Sequence, residues 1–194
     1  VYEGTFGNIS TSGTSVTLGA GYTGTFCPEW YSFNMKDIDA SAVTSSIQIE
    51  ATEEDNLIYA GRAGGNIYTG DGDDTIYCGR TGSSIFAGEG NDIIYLGNGN
   101  DTIRYDEYDG DETVYNYRSG DVIYLNTQSK VQFDSFLLSG DDVIVNTTYG
   151  KITLKDAKGQ SIRVADRNYW EDQYFAVYEG TFGNISTSGT SVTL

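Results

Sequence analysis

The chain has 194 residues, with 28 acidic and 11 basic side chains, so its formal net charge is −17 at pH 7. That charge disfavours nucleic acid and anionic membranes as partners and favours divalent cations, although a solvated acidic surface would have the same composition. The absence of histidine removes the usual general base and the Ser–His and Cys–His nucleophile pairs. We therefore expect no enzymatic activity. No apolar run approaches the ~20 residues that span a bilayer, so we expect no membrane insertion.

The first 37 residues are predicted to form an N-terminal β segment and a cap. Residues 1–26 contain short alternating runs, such as Ser15–Leu18, that favour strands. Residues 27–37 are rich in apolar side chains, which would cover the open end of a solenoid. These side chains are Pro28, Trp30, Tyr31, Phe33 and Met35.

A nine-residue period organises the middle of the chain. A glycine recurs at nine-residue intervals, at Gly61, Gly70, Gly79, Gly88 and Gly97. An isoleucine recurs in the same way, at Ile49, Ile58, Ile67, Ile76, Ile85, Ile94 and Ile103. Neither a helix nor a flat sheet has this period. The pattern therefore predicts a solenoid in which each repeat supplies one short strand and one turn.

Three of the repeats carry a family resemblance. Gly70–Tyr77, Gly88–Tyr95 and Gly97–Ile103 resemble the RTX nonapeptide, G-G-x-G-x-D-x-U-x with U apolar. The resemblance covers about residues 38–164. It implies an all-β fold built on a parallel β-roll, with Ca²⁺ bound in the turns. It also implies an extracellular, secreted or cell-surface location.

The C-terminal boundary of the roll is placed where the period changes. The spacing slips to eleven residues between Ile103 and Val114 and returns to nine at Ile123. We therefore assign the RTX-like roll to residues 38–125. Residues 126–176 contain longer alternating runs and are predicted to form an antiparallel β lobe and a linker that close the end of the roll.

The resemblance sorts the turns into two stacks. Successive repeats of a β-roll lie on opposite sides, so each turn stacks on the turn two repeats away, ~4.8 Å off. Two stacked turns supply about six hard oxygen ligands, which suits Ca²⁺. We expect two or three calcium ions rather than one for each repeat. The predicted ligands are Asp71, Gly72, Asp73, Asp74, Glu89, Gly90, Asn91, Asp92, Gly99, Asn100, Asp101, Asp111 and Asp121.

Some turns depart from the repeat. Two turns that lack the acidic residue carry Arg62 and Arg80, and each guanidinium would either replace the missing ion by donating to turn carbonyls or point to solvent. Cys78 stands at a turn position where the family usually has glycine. It would either form a disulfide with Cys27 or remain, like Cys27, a small buried thiol.

The last position of each repeat should point out of the roll. Tyr59, Tyr77 and Tyr95 are predicted to form an aromatic ladder on one face, and Tyr68 and Phe86 to align with Arg104 on the other. Exposed aromatic patches of this size usually mark a packing partner. The alternative is that the N-terminal segment or the C-terminal lobe covers them.

The two ends of the chain share one sequence. Residues 177–194 repeat residues 1–18 at every position, so we assign 177–194 as the start of a further repeat unit. The repeat distance of a whole domain indicates a window from a tandem array, with engineered duplication as the alternative. The segment would pack on its own following unit or complete the preceding one by strand addition.

Two hypotheses for function follow. The first is a calcium-stabilised structural module of an extracellular tandem-repeat protein, in a filament, surface layer or adhesive stalk. Its partners would be further copies of itself, arranged head to tail, with a cell surface or polysaccharide as a further candidate. The alternative is a calcium-dependent folding and secretion module of a type I-secreted RTX enzyme or toxin, whose catalytic part lies elsewhere.

Overall fold

The computed structural model describes residues 9–28, 35–126, 131–168, 173–181 and 191–192. The first ten strands of this part are β1 (Ile9–Ser12), β2 (Ser15–Leu18), β3 (Gly24–Phe26), β4 (Asp37–Asp39), β5 (Ile47–Glu50), β6 (Leu57–Tyr59), β7 (Gly65–Tyr68), β8 (Thr75–Tyr77), β9 (Ser83–Phe86) and β10 (Ile93–Tyr95). They are followed by β11 (Thr102–Tyr105), β12 (Asp111–Tyr115), β13 (Val122–Asn126), β14 (Phe133–Ser139), β15 (Asp142–Thr147), β16 (Lys151–Leu154), β17 (Ser161–Asn168), β18 (Gln173–Thr181) and β19 (Ser191–Val192).

The strands form two sheets that the chain visits in alternation. Sheet 1 has the order β1-β2-β4-β6-β8-β10-β12-β16-β15-β14-β19, and sheet 2 has the order β18-β17-β13-β11-β9-β7-β5-β3. Along the roll each strand runs parallel to the strand two places further on. Ile76, for example, is paired with Ile58 on one side and with Ile94 on the other. The fold is therefore the parallel β-solenoid that the nine-residue period predicts.

The register confirms the change of period. Ile94 in β10 pairs with Val114 in β12, and Ile103 in β11 pairs with Ile123 in β13. The extra residues lie in the turn between β11 and β12, where they lengthen one turn without moving the inward residues to the other face. A strand has a side-chain period of two, so its pairing must hold the apolar column in register.

The isoleucine column forms the core between the two sheets. All seven isoleucines of the period are at most 1% exposed. The residue after the outward position of a repeat also points inward in several coils, as the buried Ala51, Ala60, Ala87 and Leu96 show. Each fully buried isoleucine contributes roughly 1.5–3 kcal/mol, so this column supplies much of the stability of strands that are only three or four residues long.

The roll extends beyond residues 38–125 at both ends. On the N-terminal side, β2 and β3 pair in parallel with β4 and β5. On the C-terminal side, β16 and β17 pair in parallel with β12 and β13. Antiparallel pairing in the lobe joins β14 to β15, β15 to β16 and β17 to β18. The two sheets therefore add coils from segments in which the nine-residue period is absent.

The N-terminal cap is described in part. Pro28 and Met35 are buried, but they lie between β3 and β4, so β2 and β3 precede them in the roll and they do not cover its open end. Trp30, Tyr31 and Phe33 lie outside the described residues. Among the residues that are described, no helix is long and apolar enough to cross a membrane.

Candidate metal centre

The turns form two stacks, one along each long edge of the roll. On the first edge the chain passes from sheet 2 to sheet 1, for example between β7 and β8, and on the second edge it passes back. Stacking is close: a Cβ placed on Gly88 would lie 2.0 Å from the carbonyl oxygen of Gly70, and one on Gly97 would lie 1.7 Å from that of Gly79. Only glycine permits this approach, which explains its period.

A ladder of hydrogen bonds connects the turns of the first edge. The backbone N–H of Asn56 donates to Oδ1 of Asp74 at 2.7 Å, and that of Asp74 donates to Oδ1 of Asp92 at 2.8 Å. The N–H of Asp92 donates to Oε2 of Glu112 at 3.0 Å. These four residues, named the inner ladder here, are at most 3% exposed. Each carboxylate therefore uses one oxygen to join its coil to the coil before.

The second oxygen of each inner carboxylate has no hydrogen-bond donor among the described residues. These buried oxygens without a donor are Oδ2 of Asp74, Oδ2 of Asp92 and Oε1 of Glu112. Burying an ionised carboxylate without a partner is costly, so such a group takes up a proton or binds a cation. The inner ladder thus leaves three oxygen atoms that call for a positive partner.

The pKa values reflect the same burial. Burial raises the pKa of Asp74 to about 7, and it also raises the pKa of Asp92. Among these carboxyl groups, the pKa of Glu112 is raised most. Burial is the main cause, and the negative charges of Asp92 and Asp109 add to it. Burial raises the pKa of Asp109 to about 7, and the charges of Asp106 and Asp92 add to the effect. Without a cation, these groups hold protons that an exposed carboxyl group would have lost at neutral pH.

The residues present fit Ca²⁺ better than a transition metal. The donors on this edge are carboxylate and carbonyl oxygens, which are the ligands of hard cations. Within the described part of the chain, no three His, Cys, Asp or Glu side chains converge as a ready metal cluster. A calcium ion here would be held by the free oxygens of Asp74 and Asp92, with turn carbonyls supplying the other ligands. Bound calcium would neutralise the two buried charges.

Other predicted ligands on the first edge lie outside the inner ladder. Asp73 accepts a hydrogen bond from the backbone N–H of Asn91 at 2.9 Å, and Asn91 accepts one from that of Asp111 at 3.2 Å. Asp111 also pairs with Lys151 at 2.8 Å. All three of these residues are exposed, as are Asp71 and Glu89, whereas Gly72 and Gly90 are half-buried. Asp73, Asn91 and Asp111 thus form an outer ladder with its own hydrogen-bond partners.

The second edge differs in one chemical respect. Asp101 accepts a hydrogen bond from the N–H of Ser83 at 2.7 Å on Oδ1 and from that of Gly97 at 3.0 Å on Oδ2. Asp121 accepts from the N–H of Asp101 at 2.8 Å and from that of Arg118 at 2.7 Å. Both oxygens of both buried carboxylates are therefore already used by backbone donors.

The structure gives less support for a calcium site on the second edge than for one on the first edge. Gly99 and Asn100 lie in the same turn as Asp101, with Gly99 half-buried and Asn100 exposed. None of the four predicted ligands here, Asp121 included, is among the buried groups without a hydrogen-bond partner. Ligation of calcium by Asp101 would have to replace a backbone hydrogen bond.

Two residues of the first edge were not predicted as ligands. The sequence analysis selected Asp111, but the inner position opposite Asp92 belongs to Glu112. Glu112 stands two residues before Val114, as Asp92 stands two residues before Ile94, so counting back from the in-phase Val114 would have found it. Asp109, only 6% exposed, lies in the inserted turn, where the period offers no position to count from.

The departures from the repeat are resolved in favour of the simpler alternatives. Arg62 and Arg80 are exposed, and among the described residues no turn carbonyl accepts a hydrogen bond from either guanidinium. The structure thus gives no support to a guanidinium in place of an ion. Cys27 and Cys78 are not joined in a disulfide, and each is a thiol. Burial raises the pKa of Cys78 far above its ordinary value, which keeps this thiol protonated at neutral pH.

Both aromatic ladders are present and longer than predicted. Tyr59, Tyr77, Tyr95 and Tyr115 stack with ring centroids 4.8, 4.5 and 4.6 Å apart. On the other face Tyr68 stacks on Phe86 at 4.3 Å, and the guanidinium of Arg104 lies 4.7 Å from the Phe86 ring and 5.7 Å from the Tyr124 ring.

The stacking decides what the tyrosine ladder presents to solvent. The planes of neighbouring rings lie within 11° of parallel, so most ring faces cover one another. The ladder therefore presents mainly ring edges and hydroxyl groups to solvent, and its ring faces contact one another across neighbouring coils.

No family model matches the chain, and no curated protein matches it either. The resemblance to RTX proteins therefore rests on the repeat residues alone.

Proposed function

We propose that this protein is a calcium-stabilised structural module of an extracellular tandem-repeat protein, serving in a filament, a surface layer or an adhesive stalk. The observation that carries the proposal is the inner ladder, in which Asp74 and Asp92 each keep one buried oxygen without a donor. A divalent cation between stacked turns satisfies those oxygens and removes the repulsion between coils. A module of this kind folds where calcium is plentiful, as it is outside cells.

The tandem arrangement is the second part of the proposal. It is supported by the identity of residues 1–18 and 177–194, because a single-copy secretion module has no reason to begin again. The proposal assigns no catalytic role, since the buried carboxylates lie in a regular stack and the chain lacks histidine. Their chemistry serves cohesion between coils.

Thermal unfolding of the full chain tests the calcium role. Calcium at 100 times its dissociation constant adds about 2.7 kcal/mol for each site, and each kcal/mol raises the Tm of a chain of this size by roughly 2–4 °C. We therefore expect Tm to rise by about 5–10 °C for each site when calcium replaces chelator. Magnesium at the same concentration should have a much smaller effect. Equal Tm values in calcium and in excess chelator would refute the proposal.

Two matched variants locate the site. Asp92→Asn keeps the size and one acceptor of a carboxylate whose second oxygen is free, whereas Asp101→Asn changes a carboxylate whose oxygens are both bonded to N–H groups. We expect Asp92→Asn to remove most of the calcium-dependent rise in Tm, and Asp101→Asn to retain it. The reverse order would move the site to the second edge.

A further inference from the structure

The second copy of the duplicated segment adds a strand to the C-terminal end of sheet 2. Strand β18 pairs antiparallel with β17, and its last five residues, Val177–Thr181, pair with residues 165 down to 161. Ala165 is opposite Val177, and Ser161 is opposite Thr181. The second copy therefore closes the edge of the unit that precedes it in the chain.

The first copy shows what the rest of the segment does. Residues 9–12 and 15–18 form the antiparallel pair β1–β2, and β2 also pairs in parallel with β4 at the N-terminal end of sheet 1. These strands open the unit that follows them. The residues that pair with β17 in the second copy correspond to residues 1–5, which lie outside the part of the first copy that the structure describes.

We propose that the duplicated segment is divided between two consecutive units. Residues 1–5 complete sheet 2 of the unit before, and residues 9–18 begin sheet 1 of the unit after. The partner is a further copy of this chain, joined head to tail through main-chain hydrogen bonds. This inference deepens the proposed function and rests on its tandem arrangement.

The two roles are compatible because they use different residues. In the second copy, Ser191–Val192 also pair with β14. These residues correspond to Ser15 and Val16, whose two edges are occupied by β1 and β4 in the first copy. The contact with β14 therefore competes with the folding of a following unit. The contact of Val177–Thr181 with β17 does not.

The spacing makes the junction short. Thr5 and Ile9 are four positions apart, so at most about 14 Å of extended chain separates the strand of one unit from the first strand of the next. Consecutive units therefore abut. An unpaired edge on β17 would otherwise be a site for uncontrolled strand pairing, and residues 1–5 of the next copy cover it.

The inference predicts a switch in self-association. In the full chain, Val177–Thr181 cover β17 at high effective concentration, so the chain should be monomeric at micromolar concentration. The double change Tyr178→Pro with Glu179→Pro removes at least one ladder N–H, because alternate residues of a strand face its partner. The opened edge should then accept Val1–Thr5 of another molecule, and the chain should form head-to-tail oligomers.

The duplication supplies an identical control. Tyr2→Pro with Glu3→Pro makes the same change in the first copy and should leave the chain monomeric, as should all four changes together. Light scattering after size exclusion, in saturating calcium, measures the mass of each chain. A synthetic peptide of residues 1–18 should dissociate the oligomers of the second-copy variant. Circular dichroism checks that every chain keeps its fold, and the single changes Tyr178→Pro and Glu179→Pro repeat the test with less disturbance.

The outcomes separate this inference from the calcium proposal. The divided segment would be refuted if the chain with Tyr178→Pro and Glu179→Pro stayed monomeric. It would also be refuted if the chain with all four changes formed oligomers to the same extent as that variant. Neither result bears on the calcium-dependent Tm of the unaltered chain. If calcium did not change the Tm of the unaltered chain but the second-copy variant formed oligomers, the junction between units would be supported and the calcium role would be refuted.

Discussion

At the scale of single residues, hydrogen-bond donors distinguish carboxylates that look alike in the repeat. Asp92 and Asp101 occupy equivalent positions, and both are 1% exposed. The N–H of Gly97 donates to the second oxygen of Asp101 at 3.0 Å, while the second oxygen of Asp92 has no donor in the part of the chain that the structure describes. Both oxygens of Asp101 are hydrogen-bonded within the protein, whereas the second oxygen of Asp92 needs a proton or a cation.

This difference predicts how stability depends on pH. The pKa of Asp74 is about 7 in the folded chain, because burial disfavours its charge, against about 3.9 in an unfolded chain. The folded state therefore binds more protons between those values, so its extra stability is present below pH 4 and is lost as the pH rises through 7. We expect Tm in metal-depleted buffer to be higher at pH 5 than at pH 7.5.

Calcium should reverse that order, because its ligands must be deprotonated. The rise in Tm that calcium produces should therefore be larger at pH 7.5 than at pH 5. Asp74→Asn should flatten the dependence in metal-depleted buffer, and Asp134→Asn, which alters an exposed carboxylate, should leave it unchanged. A metal-free Tm that increases from pH 5 to pH 7.5 would contradict this account of the inner ladder.

At the scale of elements, strands of three or four residues are stabilised by contacts that recur from one coil to the next. The isoleucine column fills the interior, the glycine-rich turns stack on each other, and the tyrosine ladder connects strands of sheet 1 on the outside. Tyr77 has a stacked ring on each side, 4.8 and 4.5 Å away. The outer face of sheet 1 thus contributes to cohesion although it is in contact with solvent.

We expect Tyr77→Leu to lower the free energy of unfolding by about 1–3 kcal/mol, because two stacked pairs are each worth ~0.5–1.5 kcal/mol beyond their buried area. Tyr108→Leu is the control, since that tyrosine is 65% exposed and its ring lies tilted 6.2 Å from Tyr149. Urea unfolding in saturating calcium measures both variants. Equal losses would show that the ladder adds nothing beyond surface area, and a double-mutant cycle with Tyr95 would give the coupling directly.

At the scale of the whole molecule, the roll has ends that other chain segments must cover. The antiparallel pair β14–β15 lies at the C-terminal end of sheet 1, and β18 lies at that of sheet 2. The N-terminal end of sheet 1 carries β1. The duplicated segment contributes to both ends, which is the geometry expected of a joint between units in a stiff rod.

A chain of two full units should therefore scatter X-rays as one elongated body. The eight strands of sheet 2, spaced by ~4.8 Å, give each unit an axial length of about 38 Å. We expect the maximum dimension to increase by about that amount when the second unit is added. A long Gly/Ser linker inserted after Thr181 provides the flexible control. Identical distance distributions for the two chains would show that the units do not abut.

Counting along the sequence was enough to place most features of the roll. The nine-residue period placed the isoleucines inside, sorted the turns onto two edges, located Val114 and Ile123 after the insertion, and aligned Tyr59, Tyr77 and Tyr95. Counting suffices here because the same local conformation recurs, so sequence distance converts directly into spatial position. Asp74, Asp92, Asp101 and Asp121 were placed at their inner positions for the same reason.

Only the tertiary structure decided how each group is satisfied. It showed that Asp109 is buried in the inserted turn, that Arg62 and Arg80 are exposed, and that Asp92, unlike Asp101, retains an oxygen without a donor among the described residues. It also placed Val177–Thr181 on β17. These outcomes depend on hydrogen-bond donors and sheet edges that other coils supply. Several groups compete for each of them, and the nine-residue period does not predict which group succeeds.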